Sequence, residues 1–279
     1  MIKAGLIGSG IAGSLTPAMH MAEGAAQGID YNYVRFDMAT TQHSHQTFAI
    51  VLAAAEDDGF AGVNITYPFK QAVIELLDDI TDEARDIGAV NTVVFRNGKR
   101  FGHNTDYIGF RKSFADQLSS LPHQNAALVG AGGAGAAVGL ALLDEGVKSL
   151  YVLDSDLSAA GRLVAKLQHL RPSVEVGIWD GQSAVDGLIN ATPMGMVSHP
   201  GAAVSLDKVT VRQWVGDIVY FPLITKLLHD ASALKLRTMT GGGMAVGQAS
   251  AAFQLFTGRA ADADRMAAHF RALNRDKAA

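Results

Sequence analysis

The sequence predicts an α/β protein of two domains. Three observations indicate this: the length, the apolar content, and the alternation of short apolar runs with helical patterns. The chain has 279 residues, of which 48% are hydrophobic and 18% are charged, so two ordinary cores are within reach. The alternation changes character near residue 106, where the helical patterns become longer and the strand patterns fully apolar.

The first hundred residues alternate short strand patterns with helical ones. A helix is expected to open at Thr16-Pro17, with Thr16 as its N-cap and Pro17 at its first position. Asn97-Gly98 predicts a hairpin turn between two strands. The strand patterns are Ile2–Ile7, Tyr31–Phe36, Gly62–Ile65, Val90–Phe95 and Arg100–His103, and the helical patterns are Phe48–Ala55 and Gln71–Leu77.

From about residue 106 the pattern predicts a parallel sheet with helices on both faces. Helices are expected near 133–145, 157–169 and 223–230, and, after the glycines at 241–243, near 244–256 and 260–273. The strand patterns are Ala126–Val129, Ser149–Leu153, Val174–Ile178, Leu188–Ala191, Trp214–Val219 and Lys235–Met239.

Composition argues against several classes of protein. Lys plus Arg number 23 against 27 for Asp plus Glu, a net charge of -4, which offers no basic surface for nucleic acid. The chain has no cysteine, so disulfides and thiolate metal sites are excluded. The apolar run at the N-terminus is too short for a signal peptide or membrane anchor, and we expect a cytoplasmic protein. His43 and His45 form the only close histidine pair, on a polar stretch, so no metal site is predicted.

A glycine-rich segment has the spacing of a dinucleotide-binding loop. Gly130, Gly132 and Gly135 stand in the order G-x-G-x-x-G between an apolar strand and a helix that opens at Gly133-Ala134. The first glycine permits a tight turn, the second lets the backbone approach a pyrophosphate, and the third allows close helix packing. The helix N-terminus would hold the anion. The alternative is a tight turn without a ligand.

The next strand ends at Asp154, which bears on the choice of cofactor. A carboxylate there accepts hydrogen bonds from an adenosine ribose and repels a 2′-phosphate. Asp156 adds a second negative charge, and the nearest positive side chain is Arg162. The sequence therefore favours NAD over NADP. Asp154 is also a candidate cap for the following helix, although Asp156 is expected to be that cap.

Lys70 and Asp106 are candidates for proton transfer. We expect Lys70 in the first turn of a helix, where the dipole and desolvation would ease loss of its proton. A solvated surface lysine is the alternative. Asp106 follows a strand and is also a candidate N-cap for a helix near Tyr107. Placed beside Lys70, it would orient the ammonium, and such a pair can exchange a proton with a hydroxyl while hydride leaves the same carbon.

Two amides are further candidates for binding. Asn91 stands just before an apolar strand, where a turn residue is the alternative. Gln248 shares a helix face with Met244, Ala251 and Leu255. A polar amide in an apolar stripe needs a partner, either backbone or ligand.

Together these motifs resemble the shikimate dehydrogenase family over essentially the whole chain. The resemblance implies an N-terminal domain that binds a cyclohexane carboxylate, a Rossmann domain that binds a nicotinamide cofactor, and C-terminal helices that pack on the first domain. The expected domains are thus 1–105 with 244–279, and 106–243. The motifs are Gly8–His20, Asn64–Lys70, Gly88–Thr92, Asn104–Asp106, the glycine loop, Asn190–Met196, and Gly243-Met244 with Gln248.

The resemblance also implies roles for individual residues. Lys70 and Asp106 would form the catalytic pair. The substrate would be bound by Ser14 and Thr16 at its carboxylate, by Thr66, Asn91 and Gln248 at its ring hydroxyls, and by Tyr220. The cofactor would be bordered by Gly130, Gly132, Gly133, Ala134, Asp154, Thr192, Pro193, Met194, Met196, Ile218 and Gly241.

The sequence departs from the commonest biosynthetic pattern. Gly10, Gly13 and Thr16 replace the usual proline, histidine and second serine of the first motif. Leu153–Asp156 replaces the Asn-Arg-Ser/Thr signature of NADP-dependent members. The pattern is most similar to NAD-dependent quinate/shikimate dehydrogenases of the catabolic type, which implies reversible oxidation of the C3 hydroxyl of quinate or shikimate.

Three other functions stay open at this point. They are an NADP-dependent shikimate dehydrogenase, a family member acting on another ring acid such as an amino-substituted shikimate, and a non-catalytic sensor of NAD and a ring acid. We expect small-molecule substrates, no nucleic-acid or membrane partner, and leave a homodimer open.

Overall fold

The computed structural model describes residues 1–40 and 46–278, with side chains through Arg275. His43 and His45 lie outside the described residues. The chain divides into two compact units. Unit 1 comprises Met1–Thr105 and Gln248–Leu273, and unit 2 comprises Asp106–Gly247 and the chain from Asn274 onward.

Unit 1 is built on a mixed sheet. Its strands are β1 (Ile2–Gly8), β2 (Tyr31–Asp37), β3 (Gly62–Ile65), β4 (Asp79–Ile80), β5 (Thr92–Arg96) and β6 (Lys99–His103). Their order in the sheet is β2-β1-β3-β5-β6-β4. β1 pairs in parallel with β2 and β3, whereas β5 is antiparallel to both β3 and β6. Asn97 and Gly98 both have positive φ, 54° and 70°, which confirms the predicted hairpin turn.

Helices cover the unit 1 sheet because each buries an apolar stripe against it. Val51 and Leu52 of α2, for example, pack in one core with Ile7, Val63 and Val93 of the strands. The helices are α1 (Thr16–Ala26), α2 (Phe48–Asp57), α3 (Asp82–Ile87), the part of α8 (Gly241–Thr257) from Gln248 onward, and α9 (Ala263–Ala278), the last assigned to unit 1 as far as Leu273.

Several sequence expectations in unit 1 are wrong. The segment after Lys70 forms a five-residue 3-10 helix, Ala72–Leu76, and Lys70 lies in the turn before it. The chain becomes extended again at Leu77 in order to enter β4, so no α-helix has room to form. Thr16 is the first helical residue, not the N-cap, because Leu15 already has helical backbone angles. β4 and α3 were not predicted; each is too short to give a periodic pattern.

Unit 2 contains a fully parallel sheet. Its strands are β7 (Asn125–Val129), β8 (Ser149–Leu153), β9 (Glu175–Ile178), β10 (Val185–Asn190), β11 (Val211–Asp217) and β12 (Arg237–Met239). The order is β12-β11-β10-β7-β8-β9, with every pair parallel. Read from β9, this is the 3-2-1-4-5-6 order typical of Rossmann folds, whose strand order reverses between the first and fourth strands, here β7 and β10.

Helices also belong to unit 2. They are α4 (Thr105–Gln117, assigned to unit 2 from Asp106 onward), α5 (Gly133–Asp144), α6 (Leu157–Leu170), α7 (Lys226–Ala233) and the first turns of α8. Those turns begin at Gly241, so the helix expected near 244–256 starts three residues earlier and includes the glycines at 241–243. They group with unit 2 because Gly247 lies against the backbone of Gly109 on α4; a Cβ at Gly247 would be 2.7 Å from the Gly109 Cα. Asp106 is the second residue of α4 and therefore not its N-cap.

No helix among the described residues is both long enough and apolar enough to cross a membrane.

Candidate active site

Most of the polar residues predicted for the site in unit 1 lie in chain segments at one edge of its sheet, where several strands begin or end. β1 and β3 are parallel, so their carboxyl ends meet at this edge. β5 is antiparallel to β3, with Asn64 opposite Thr92, so β5 begins at the same edge. β6 also ends there, because His103 is opposite Thr92. The segments at this edge contain Ser14 and Thr16 after β1, Thr66 and Lys70 after β3, and Asn91 before β5.

Asn91 is buried with a fixed side-chain orientation. Its Oδ1 accepts hydrogen bonds from the Thr105 N–H at 2.7 Å, the Thr105 hydroxyl at 3.1 Å and the Thr92 hydroxyl at 3.2 Å. Its Nδ2 donates to Oε1 of Gln248 at 3.5 Å. Because the oxygen is fully used, a ligand at Asn91 meets an N–H donor. Gln248, an amide on an apolar helix face, was expected to need a polar partner, and Asn91 is that partner.

Asn64, to which sequence reasoning gave no role, supports Asn91 from the neighbouring strand. Its Oδ1 accepts a hydrogen bond from the Tyr33 hydroxyl at 2.7 Å. Its Nδ2 donates to the Thr92 hydroxyl at 2.9 Å and to the Asn91 carbonyl at 3.4 Å. The sequence contained one indication of this role, namely an amide inside the apolar strand Gly62–Ile65. Buried polar groups are almost always hydrogen-bonded, so such an amide needs partners.

Asp37, also missed, orders the loop that bears Ser14. Its carboxylate accepts hydrogen bonds from the N–H groups of Gly10 at 2.8 Å and Ile11 at 2.9 Å. Desolvation alone would raise the pKa of Asp37, but hydrogen bonds from the backbone of Ala39, Gly10 and Ile11 lower it. Gly10 has a φ of 70°, which glycine adopts without strain. At the end of this loop the Ser14 Oγ accepts from the Thr16 N–H at 3.3 Å.

Thr66 and Lys70 lie in the segment after β3. A Cβ on Gly8 would be 2.2 Å from the Thr66 Cγ2, so glycine at the end of β1 is what lets Thr66 occupy its position. The Lys70 carbonyl accepts a 2.8 Å hydrogen bond from the Val90 N–H. This bond ties the turn that bears Lys70 to the residue before Asn91.

Asp106 and Tyr220 lie in unit 2. Asp106 is 4% exposed. Burial raises the pKa of Tyr220, and the negative charge of Asp106 raises it further, so the two side chains share one electrostatic environment. Helix α4 is fixed within its unit by the Tyr107 hydroxyl, which donates to Asp144 at the end of α5 at 2.7 Å. Lys70 belongs to unit 1, and its pairing with Asp106 stays a prediction.

The glycine loop of unit 2 has the shape that a dinucleotide needs. Gly130 has a φ of 109°, and a Cβ there would be 2.9 Å from the Ala191 backbone. A Cβ on Gly135 would be 2.0 Å from the Gly130 carbonyl oxygen, so the helix could not approach with any other residue. Gly132, by contrast, is exposed, has open space where its Cβ would stand, and opens α5 without a side-chain cap. An anion therefore has access to the first turn of α5.

Asp154 lies against this loop. Its Oδ2 accepts a 2.7 Å hydrogen bond from the Ala131 N–H, and its Oδ1 accepts from the Asp156 N–H at 2.9 Å. Asp156 is the N-cap of α6, accepting from the N–H groups of Ser158 and Ala159, as predicted. The alternative in which Asp154 is the cap is thus wrong, and its carboxylate stands beside the glycine loop at the end of β8.

The remaining predicted cofactor residues follow β10, β11 and β12. Thr192, Pro193, Met194 and Met196 lie in the loop after β10, and Ile218 follows β11 directly. A Cβ on Gly241 would be 2.3 Å from the Ile218 carbonyl oxygen, so the start of α8 packs on that segment. In open parallel sheets ligands bind outside the carboxyl ends of the strands, which is where all these residues lie. Sequence reasoning gave no role to the last residues of β10 and β11, Asn190 and Asp217, both buried.

Within the part of the chain that the structure describes, no group of three or more His, Asp or Glu side chains is arranged to hold a metal ion.

Known proteins resemble this chain in both sequence and structure. A family model described as the shikimate dehydrogenase substrate binding domain matches residues 6–93. The quinate/shikimate dehydrogenase (NAD(+)) of Corynebacterium efficiens is 44% identical over 279 residues, which cover 98% of both chains. The shikimate dehydrogenase (NADP(+)) of Arthrobacter sp. is 43% identical, with 95% of this chain and 93% of that protein covered.

Among solved structures, quinate dehydrogenase from Corynebacterium glutamicum in complex with NAD superimposes with a TM-score of 0.91 at 44% identity, covering 97% of this chain and 99% of that one. Shikimate 5-dehydrogenase from Thermus thermophilus in complex with NADP(H) and shikimate gives a TM-score of 0.85 at 30% identity, covering 98% and 100%.

Proposed function

This chain belongs to the shikimate dehydrogenase family, and from that premise we propose that it is an NAD-dependent quinate/shikimate dehydrogenase. The reaction is the reversible oxidation of the C3 hydroxyl of quinate or shikimate to the 3-dehydro product. The observation that carries the choice of cofactor is the Asp154 carboxylate at the end of β8, bonded to the Ala131 N–H of the glycine loop. A 2′-phosphate would meet this negative charge, whereas a ribose hydroxyl can donate to it.

We propose that the edge of the unit 1 sheet binds the ring acid. The hydroxyls of Ser14 and Thr16 would hold the carboxylate, and Thr66, Asn91 and Gln248 the ring hydroxyls. The fixed orientation of Asn91 supports its role, because its N–H side is left to face a hydroxyl oxygen. Tyr220 would line the substrate on the side of unit 2.

Lys70 and Asp106 are proposed as the catalytic pair. In the oxidation the neutral amine of Lys70 takes the proton of the C3 hydroxyl and becomes an ammonium, which Asp106 orients; in the reduction this ammonium returns the proton. As the C3–H bond breaks and the carbonyl forms, NAD, when bound, supplies the hydride acceptor. General acid/base assistance of this kind is worth about 10²- to 10⁴-fold in rate.

We propose that unit 2 holds the cofactor. The first turn of α5 would bind the pyrophosphate, Asp154 the adenosine ribose, and the segments after β10 and β11 the nicotinamide. The open space at Gly132 and the uncapped start of α5 support this assignment.

The test is a set of initial rates with NAD and with NADP, each offered with quinate and with shikimate. Reduction of NAD with either acid is the expected result, and the ratio of the two rates identifies the preferred acid. Activity with NADP alone would contradict the role of Asp154 and leave an NADP-dependent shikimate dehydrogenase. Inactivity in all four mixtures would contradict the proposed substrates and favour another ring acid or a non-catalytic sensor.

A further inference from the structure

A buried carboxylate that the proposed reaction does not use lies at the carboxyl end of β11. Asp217 is 0% exposed. It accepts hydrogen bonds from three neutral donors: the Val219 N–H at 2.9 Å, the Asn190 amide at 3.0 Å and the Thr225 hydroxyl at 2.7 Å. Burial raises the pKa of Asp217 to about 6, against the effect of these bonds. Burying a carboxylate is costly, so a role other than stability is indicated.

Asn190 connects Asp217 to the loop after β10. Besides its bond to Asp217, its Nδ2 donates to the Met194 carbonyl at 2.9 Å. Its Oδ1 accepts from the Thr192 N–H at 3.1 Å and from the Thr192 hydroxyl at 2.6 Å. The two donors and the two acceptor positions of the amide are thereby all used. The segment from Thr192 to Met194 is held in one arrangement relative to Asp217.

Thr225 connects Asp217 to α7 and to the same loop. It is the N-cap of α7, and its hydroxyl oxygen accepts from the Leu228 N–H at 3.4 Å. A Cβ on Gly195 would be 3.2 Å from the Thr225 Cβ, so the loop after β10 packs directly on this residue. The hydroxyl proton goes to Asp217.

The segment after β11 is fixed by Asp217 itself. The bond from the Val219 N–H turns the chain immediately after Ile218, as aspartates do in Asx turns. The Ile218 N–H in turn donates to the Asn190 carbonyl at 3.0 Å. One carboxylate therefore holds three chain segments, 190–195, 217–219 and 225–228, at the ends of adjacent strands.

We propose that Asp217 is a positioning residue that sets the loops on the nicotinamide side of the cofactor site. The inference rests on the proposed function, in which Thr192–Met196 and Ile218 border the nicotinamide. A carboxylate suits the position because it accepts all three hydrogen bonds and donates none. An amide would turn an N–H toward the buried Thr225 hydroxyl or the other two donors.

The test compares two ligands, NADH and ADP-ribose, which shares the adenosine half but lacks the nicotinamide. In Asp217→Asn the Kd for NADH should rise about tenfold, the usual worth of one hydrogen bond to a charged group, while the Kd for ADP-ribose stays unchanged. Asp186→Asn is the control, since Asp186 lies near the amino end of β10 and accepts only from the Asn125 backbone N–H in the described structure. It should leave both constants unchanged.

A second pair of variants covers the case in which Asp217→Asn does not fold. Thr225→Val removes the hydroxyl and should weaken NADH binding in the same selective way, whereas Thr225→Ser keeps the hydroxyl and should restore it.

Unchanged NADH affinity in Asp217→Asn or, if that variant is insoluble, in Thr225→Val would overturn the inference. Equal losses for NADH and ADP-ribose would overturn it too, because they indicate general damage to unit 2. If the wild type binds neither ligand, the proposed cofactor and this inference both fall.

Discussion

The backbone N–H of Ala131 donates a 2.7 Å hydrogen bond to the Oδ2 of Asp154. This bond joins the end of β8 to the glycine loop and fixes one carboxylate oxygen. The other accepts from the Asp156 N–H and the Ser155 hydroxyl. The negative charge of Asp154 is therefore held in place beside the glycine loop, where an adenosine ribose lies in this class of fold.

Replacing that charge should relax the choice of cofactor. We expect Asp154→Asn to lower the ratio of kcat/KM for NAD to that for NADP by roughly tenfold to a hundredfold, because one charged hydrogen-bond acceptor is lost and a repulsion toward the 2′-phosphate is removed. Initial rates with the two cofactors at fixed quinate measure the ratio.

Asp156→Asn is the matched control for this change. It removes a neighbouring charge of the same sign, yet Asn caps a helix about as well as Asp, so α6 stays intact. The ratio should then move far less than in Asp154→Asn. An equal response of the two variants would assign cofactor choice to the general charge of the segment rather than to Asp154.

Several features of the fold and of the candidate site could be predicted from the sequence. β7 and β8, the glycine loop, the Asp156 cap and the Asn97-Gly98 turn all have local causes: burial on both faces, positive φ, or a side chain that caps its own helix. These causes act within a few residues, so the sequence reveals them without the fold.

Features that arise from pairing between distant segments could not be predicted. The two-residue strand β4 exists because it pairs with Phe101 and Gly102, and the chain must therefore leave the 3-10 helix at Leu77. This is why Lys70 lies in a turn and not at the start of an α-helix. Asn64 and Asp217 are similar cases: each ends or interrupts an apolar strand, and only the neighbouring strands reveal what it binds.

The amide of Gln248 gives a prediction about the ring acid. Gln248→Ala removes the acceptor of the Asn91 Nδ2 together with the bond to a ring hydroxyl that we propose for Gln248. The KM for quinate or shikimate should rise roughly fivefold to tenfold, about one hydrogen bond's worth, and the KM for NAD should not change. Steady-state kinetics with each substrate varied in turn measure both.

Gln254→Ala is the control on the same helix, because Gln254 is exposed on α8. It should leave both KM values as they are. A rise in the KM for NAD in Gln248→Ala, without a rise for the ring acid, would contradict the substrate role.

The proposed proton transfer predicts a specific loss in Lys70→Met. This change keeps an unbranched side chain only one atom shorter but removes the amine, so kcat should fall by about 10²- to 10⁴-fold. The Kd for NADH should remain within about twofold, since Lys70 belongs to unit 1. Lys99→Met, at an exposed position of the β5–β6 hairpin, should retain full turnover. Turnover preserved in Lys70→Met would contradict the catalytic role.

His20 predicts how the stability of the protein depends on pH. Its side chain is 0% exposed; its Nδ1 lies 2.9 Å from the Tyr31 hydroxyl, and its ring packs against Tyr33 and Phe253. Burial lowers the pKa of His20 from 6.5 to about 3. Below pH 6.5 the unfolded chain therefore takes up a proton at this site that the folded chain does not, and the free energy of unfolding falls as the pH falls toward 3.

The size of the effect follows from the width of that window. Between pH 7.5 and pH 5 only the last interval of about 1.5 pH units lies below the ordinary pKa of histidine. At about 1.4 kcal/mol per pH unit, protonation of the unfolded chain there lowers the free energy of unfolding by roughly 2 kcal/mol. His20→Gln cannot titrate but keeps a polar group near Tyr31. We expect wild type to lose roughly 2 kcal/mol more than His20→Gln over this interval, measured by urea unfolding at the two pH values.

Comparison with this variant separates the effect of His20 from that of Asp217, a buried carboxylate with a raised pKa. The pKa of Asp217 is raised to about 6 by burial, so its protonated form is favoured in the folded state, and the stability it contributes is lost as the pH rises through 6. Its effect is thus opposite in sign to that of His20. Because Asp217 is present in both proteins, its contribution cancels in the difference between them. Equal losses in wild type and His20→Gln would show that His20 is protonated in the folded state or exchanges with solvent, and would contradict the prediction.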